Sequence, residues 1–267
     1  MLGIGYERAK RFCLISLRAP IERAKLTGDL AAMSSAKLPA AGQVQRTMAR
    51  FDLVIFDCDG VVVDSERIVH EIFGNFIRSL GADLDAARMN ELFLGRRLED
   101  CLAIVQGITG LAPPPDALER YRAERDRVLR EQVRPVEGVR EVLESLTVPY
   151  CIASSGDHAK MRTTLGATGL LPLFEGRLFS GTEVAHGKPA PDVFLLAAER
   201  MGAAPARTAV IEDSVNGVLA GCAAKMTVFG FAGLVPASDL AAAGAARCFT
   251  AMSQLPALLV SFAASHA

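Results

Sequence analysis

The chain has no tryptophan, no CxxC pair and no Cys/His cluster at zinc-ligand spacing, and no apolar run in it approaches the roughly 20 residues of a membrane-spanning helix. The six cysteines (Cys13, Cys58, Cys101, Cys151, Cys222 and Cys248) stand apart, as small buried hydrophobes do in a reducing compartment. Phe12 to Leu17 is too short for the apolar core of a signal peptide, and no convincing cleavage site follows it. A cytoplasmic protein is expected. The marks of disorder are missing too, because 51% of the residues are hydrophobic and the formal net charge is only -1.

That near-neutral charge hides an asymmetry. Residues 1–50 hold nine of the 29 Lys and Arg but three of the 30 Asp and Glu, leaving 20 basic and 27 acidic residues beyond them. A body this acidic, with no basic stripe interleaved with aromatics, does not suit a nucleic-acid surface. Residues 1–48 read as a basic N-terminal extension, a disordered tail or a segment upstream of a true start at Met48 in preference to a transit-like peptide, and are set apart from the fold.

From Phe51 onward, short apolar runs alternate with helical patterns. Phe51 to Phe56, Pro149 to Ala153, Thr208 to Ile211 and Thr227 to Phe231 predict strands, and Val193 to Met201 and Val215 to Ala224 predict helices. Continuous apolar strands alternating with helices indicate an α/β fold, a doubly wound parallel sheet covered on both faces. Residues 65–134 break the alternation with helical patterns alone (Ile68 to Leu80, Leu98 to Val105, Leu118 to Val133) and read as an inserted α-helical cap domain. The core is then 49–64 and 135–267.

Four polar clusters follow strand ends, where open α/β sheets bind ligands. Asp57-Cys58-Asp59-Gly60 puts two carboxylates on one face of an extended chain, which is costly without a cation or shared proton. Gly60 lets the chain turn and a ligand approach the backbone. Ser154-Ser155-Gly156 offers hydroxyls and N–H groups to an anion. Asp157 and His158 beside it cannot build a Ser/His/Asp triad, whose members must be distant in sequence. They read as a helix cap and an exposed first-turn residue. Gly187-Lys188-Pro189 holds a lysine in a stiff turn, able to offset carboxylate or phosphoryl charge. His186 beside it fits either a functional or a solvated loop residue and is left unassigned. Glu212-Asp213 suits a hard cation such as Mg²⁺, while Asp213 or Ser214 can also cap the next helix.

Taken in order, Asp57/Asp59, Ser154, Lys188 and Glu212/Asp213 resemble the four motifs of the haloacid dehalogenase-like superfamily, over about residues 51 to 262. The stretches Phe56 to Glu66 and Lys188 to Asp192 are similar to the branch of β-phosphoglucomutases, phosphoglycolate phosphatases and sugar-phosphate phosphatases. Lys225 departs from the pattern, since relatives usually carry Gly there, and is expected to strain the turn before Thr227. The resemblance implies a Rossmann-like core and a phosphoryl-transfer enzyme with Asp57 as nucleophile and Asp59 as acid and base. It implies Mg²⁺ held by Asp57, the Asp59 carbonyl and Asp213, with Glu212 as ligand or support. Ser154 and Lys188 would hold the phosphoryl oxygens. Gly60, Ser155 and Gly156 are candidate substrate-binding residues.

Asp59 argues against dehalogenation, and the absence of lysine from the cap argues against Schiff-base chemistry. A phosphosugar mutase is the rival reading. Its relatives place a His and a cap Arg where Val69 and Leu98 stand, and His70 is expected to face another way on its helix. Water is therefore the expected acceptor. A catalytically silent binding protein would have lost a motif residue, and none is lost. The expected partner is a small phosphorylated metabolite, a sugar or sugar-acid phosphate, with neither nucleic acid nor membrane involved. Arg96 and Arg97, just after Gly95 in the cap, are candidates for a second anionic group of the substrate. Oligomeric state is not legible.

Overall fold

The strand β1 (Leu53–Phe56) is four apolar residues hydrogen-bonded on both sides to parallel partners. Ile55 opposes Cys151 of β4 (Tyr150–Ser154) and Val210 of β6 (Thr208–Glu212). This computed structural model describes residues 51–265, so the basic extension expected over 1–48 lies outside the described residues. The six-stranded parallel sheet runs β5–β4–β1–β6–β7–β8. Its remaining members are β5 (Leu178–Ser180), β7 (Thr227–Phe231) and β8 (Arg247–Phe249). The edge strands β5 and β8 were not expected from the sequence. Each is three residues long, too short for a period to show, and β8 begins with an arginine.

Alternate side chains of the sheet enter two separate cores. Val54 and Phe56 join Ile152 and Ile211 beneath α5 (Val139–Ser145), α6 (His158–Ala167) and α10 (Leu255–Ser265). Leu53 and Ile55 join Ala153 and Val210 beneath α7 (Asp192–Arg200), α8 (Val215–Ala223) and α9 (Ala237–Ala243). Burial on both faces explains why these strands read as unbroken apolar runs. The architecture is the doubly wound, Rossmann-like α/β sheet that the sequence pattern indicates.

Between β2 (Val63–Asp64) and β3 (Arg134–Pro135), which pair antiparallel, the chain makes four helices. They are α1 (Glu66–Ser79), α2 (Ala86–Phe93), α3 (Leu98–Thr109) and α4 (Pro115–Gln132). Their common core is aromatic: Phe73 stands edge-on to Phe93 at 5.1 Å and to Tyr121 at 5.6 Å. Helix α4 also packs against α6 of the sheet domain, bringing the helical unit over the carboxyl end of β4.

Lys225, in the turn between α8 and β7, takes φ +61°. This left-handed conformation crowds an L side chain, and it is the strain expected at a position where Gly is usual. No helix among the described residues is long and apolar enough to cross a membrane.

Candidate active site

Asp57 extends the ladder by one residue, its N–H donating to Ile211 O at 2.9 Å, before the chain leaves the sheet. The Cys58 carbonyl then accepts from Val62 and Val63, closing a tight loop, while the Cys58 side chain is buried in the core. Gly60 stands at the tip with φ +76°, and a Cβ there would lie 2.0 Å from Asp213 Oδ2. Only glycine can meet both conditions at this position. The loop thereby presses its backbone against the carboxylate at the end of β6.

Lys188 is the hub behind this loop. It is 1% exposed, and its ammonium bonds to Asp57 Oδ1 at 2.5 Å, Glu212 Oε1 at 2.7 Å and Ala153 O at 3.1 Å. The other oxygen of Glu212 accepts from Ser214 N and Ser214 Oγ, both at 3.0 Å. Glu212 therefore has both oxygens engaged. Ser214 in turn caps α8, its Oγ accepting from Gly217 N at 3.0 Å. Burial would lower the Lys188 ammonium, but Asp57 and Glu212 outweigh it and hold it above the ordinary lysine value.

Asp57, Glu212 and Asp213 can each place one oxygen within 4.8 Å of the others. One ammonium faces three buried carboxylates, an excess of negative charge. Burial raises Asp213 well above the ordinary carboxyl value, with Glu212, Glu66 and Asp57 adding to the rise. Burial likewise pushes Asp57 up to about 7 against the pull of Lys188. An acidic cluster of oxygen donors in this state can hold a metal ion, and a hard divalent cation fits its charge.

Asp59 has a different environment. Burial would raise its carboxyl, but Lys160 Nζ at 2.9 Å and the Ser65 hydroxyl hold it below the ordinary value. Its side chain is taken by these partners and is not part of the Asp57, Glu212 and Asp213 cluster. Lys160 was missed in the sequence. A lysine in the first turn of a helix opposes the helix dipole, and that misfit was the available signal. Asp157 caps the same helix through Lys160 N at 2.7 Å, as expected. His158 pairs with Glu183 at 2.8 Å and His186 with Asp192 at 3.0 Å, both at the surface.

One cavity gathers Asp57, Asp59, Ser154, Ser155, Gly156 and Asp213 from the sheet domain. Lys188 and Glu212 lie behind its floor. From the helical unit come Glu66, Val69, His70 and Phe73 of α1, Arg96 and Leu98 near α3, and Tyr121 and Arg125 of α4. Two expectations are corrected here. His70 does not face away: residues 66, 69, 70 and 73 form one stripe of α1 toward the cavity, and burial lowers the His70 imidazole below its ordinary value. Arg97 does not reach the cavity. Its guanidinium is bound to Asp100 at 3.0 Å and to the carbonyls of Gly181 and Val184 at 3.2 Å. Ser155 also spends its hydroxyl elsewhere, on Gly95 O at 2.7 Å, leaving its backbone to the site. Ser154 Oγ accepts from Gly156 N at 2.9 Å, which leaves its proton free to donate.

Residues 51–225 match the family described as haloacid dehalogenase-like hydrolase. The 6-phosphogluconate phosphatase of Escherichia coli is 32% identical over 79% of this chain and 96% of its own length. A fructose-1-phosphate phosphatase of the same organism is 31% identical over 66% of this chain and 94% of its own. Among solved structures, a haloacid dehalogenase-like protein of unknown function from Agrobacterium tumefaciens is 34% identical with a TM-score of 0.67, covering 80% of this chain and 99% of that one. The chain belongs to the haloacid dehalogenase-like hydrolase family and stands among its phosphoric monoester hydrolases.

Proposed function

We propose that the protein is a Mg²⁺-dependent phosphatase that hydrolyses a small phosphorylated sugar or sugar acid through an aspartyl-phosphate on Asp57. The observation that carries this reading is that Asp57 and Asp213 line a cavity with Asp59, while buried Lys188 bonds to Asp57 from behind. The names of the two Escherichia coli relatives support a phosphorylated carbohydrate as substrate.

Lys188 fixes the Asp57 carboxylate and offsets its charge, so that the group is oriented for in-line attack on phosphorus. As the Asp57–phosphorus bond forms, the ester P–O bond breaks, and Asp59 in its acid form gives its proton to the leaving oxygen. Asp59, now a carboxylate, takes a proton from water as the water oxygen attacks the phospho-enzyme. The Asp57–phosphorus bond breaks, releasing inorganic phosphate and restoring both aspartates. The Ser154 O–H holds a phosphoryl oxygen, and Lys188, bonded to Asp57 from behind, offsets negative charge at the reacting centre. Asp57, Asp213 and the Asp59 carbonyl, with Glu212 in support, would hold Mg²⁺, which would supply a hard positive centre for the phosphoryl charge. The helical unit excludes bulk water above the site.

The test is hydrolysis of p-nitrophenyl phosphate and a panel of sugar phosphates with Mg²⁺ and with EDTA. Turnover that EDTA abolishes and added Mg²⁺ restores is expected. Turnover indifferent to EDTA would overturn the metal-dependent reading.

A further inference from the structure

Arg96 and Arg97 are neighbours in sequence with opposite surroundings. The loop that carries them is fastened to the sheet domain at three points. Asn216 Nδ2 donates to Leu94 O at 2.8 Å, Ser155 Oγ to Gly95 O at 2.7 Å, and Arg97 to the carbonyls of Gly181 and Val184 at 3.2 Å. Gly95 lets this loop lie flat on the β6 end, where a Cβ would come within 2.3 Å of Ser214 Oγ. The backbone of Arg96 is thereby held in place, its N–H donating to Phe93 O at 3.1 Å.

The side chain of Arg96 lines the cavity, and its Nε is buried with no hydrogen-bond partner. The other cations of the cavity wall are already matched. Lys160 holds Asp59 at 2.9 Å, and Arg125 holds Asp126 at 2.7 Å and Asp157 at 3.5 Å. Glu99, one turn along from Arg96, is directed to Arg122 at 3.7 Å. Among the described residues no carboxylate pairs with Arg96. A buried guanidinium N–H without an acceptor is costly unless a ligand supplies one. A planar fork of donors suits a carboxylate or a phosphate.

Resting on the phosphatase reading above, we propose that Arg96 reads a second anionic group of the substrate, so that the enzyme selects acidic sugar phosphates over neutral ones. Arg97 is a positioning residue: it clamps the loop that presents Arg96. The chemistry required of the substrate is a phosphoryl ester together with a carboxylate or a second phosphate.

The experiment compares kcat/KM for three esters, 6-phosphogluconate, fructose 1,6-bisphosphate and glucose 6-phosphate, in the wild-type chain, Arg96→Ala and Arg96→Lys. The wild type is expected to prefer one of the two doubly anionic esters, and which one separates carboxylate from phosphate recognition. In Arg96→Ala the preference over glucose 6-phosphate should fall roughly 10- to 100-fold, mostly through KM, the scale of a lost charged hydrogen bond. Arg96→Lys should recover part of it, because the charge returns without the fork. A wild type that prefers the neutral ester, or a preference unchanged in Arg96→Ala, overturns the assignment. Failure of the wild type to hydrolyse p-nitrophenyl phosphate with Mg²⁺ would instead overturn the phosphatase reading, and the proposal with it.

Discussion

Lys160 Nζ lies 2.9 Å from Asp59 Oδ2 while the Ser65 hydroxyl donates to Oδ1 of the same carboxylate. One group comes from α6 and the other from the residue just before α1, so two segments distant in sequence act on one carboxylate. Their combined effect holds Asp59 below its ordinary value even though burial acts the other way.

Lys160→Met removes the cation and keeps the bulk. Asp59 must then titrate at higher pH. Phosphoryl transfer from substrate needs Asp59 protonated, so the alkaline limb of the pH profile of kcat/KM reports this group. That limb should move to higher pH in the variant. A profile that loses height without moving would show that Lys160 has no influence on Asp59.

Metal binding should carry the opposite dependence on protons. Burial raises Asp57 to about 7 and Asp213 well above the ordinary carboxyl value, so both bind protons more tightly than free carboxylates when no cation is present. A cation must displace them. As pH falls below about 7, the dissociation constant for Mg²⁺ measured by calorimetry should weaken by about tenfold per pH unit for each proton released. An affinity constant between pH 5 and pH 8 would place the cation elsewhere.

The left-handed Lys225 offers a stability test away from the site. Lys225→Gly relieves a Cβ clash of about 1–2 kcal/mol and gives back part of this in chain entropy. A net gain of about 1 kcal/mol is expected, raising the melting temperature by roughly 2–4 °C in a chain of this size with turnover unaffected. A lower melting temperature would mean that the lysine side chain stabilises the turn.

Much of this arrangement was legible in the sequence, because parallel strands buried on both faces are apolar throughout and end abruptly in chemistry. Asp57, Ser154 and Glu212 each stand at such an end. What was hidden depends on contacts between distant segments. Arg96 and Arg97 are equivalent as sequence, and only the carbonyls of Gly181 and Val184 separate the clamp from the group left open to the cavity. Lys160 hid inside a helix that read as a simple continuation of Ser154-Ser155-Gly156. His70 was misplaced by treating one helical position as the whole face, whereas the stripe from Glu66 to Phe73 is wide enough to include both Val69 and His70.

The central claim is that Asp57 carries the phosphoryl group. The most direct measurement is mass spectrometry of acid-quenched enzyme during turnover of a rapidly hydrolysed ester, comparing the wild type with Asp57→Asn. The account predicts one phosphoryl group on the peptide containing Asp57, absent from a folded Asp57→Asn whose turnover is reduced roughly a thousandfold or more. A folded Asp57→Asn with turnover within about tenfold of wild type, or a phosphoryl group on another residue, would contradict it.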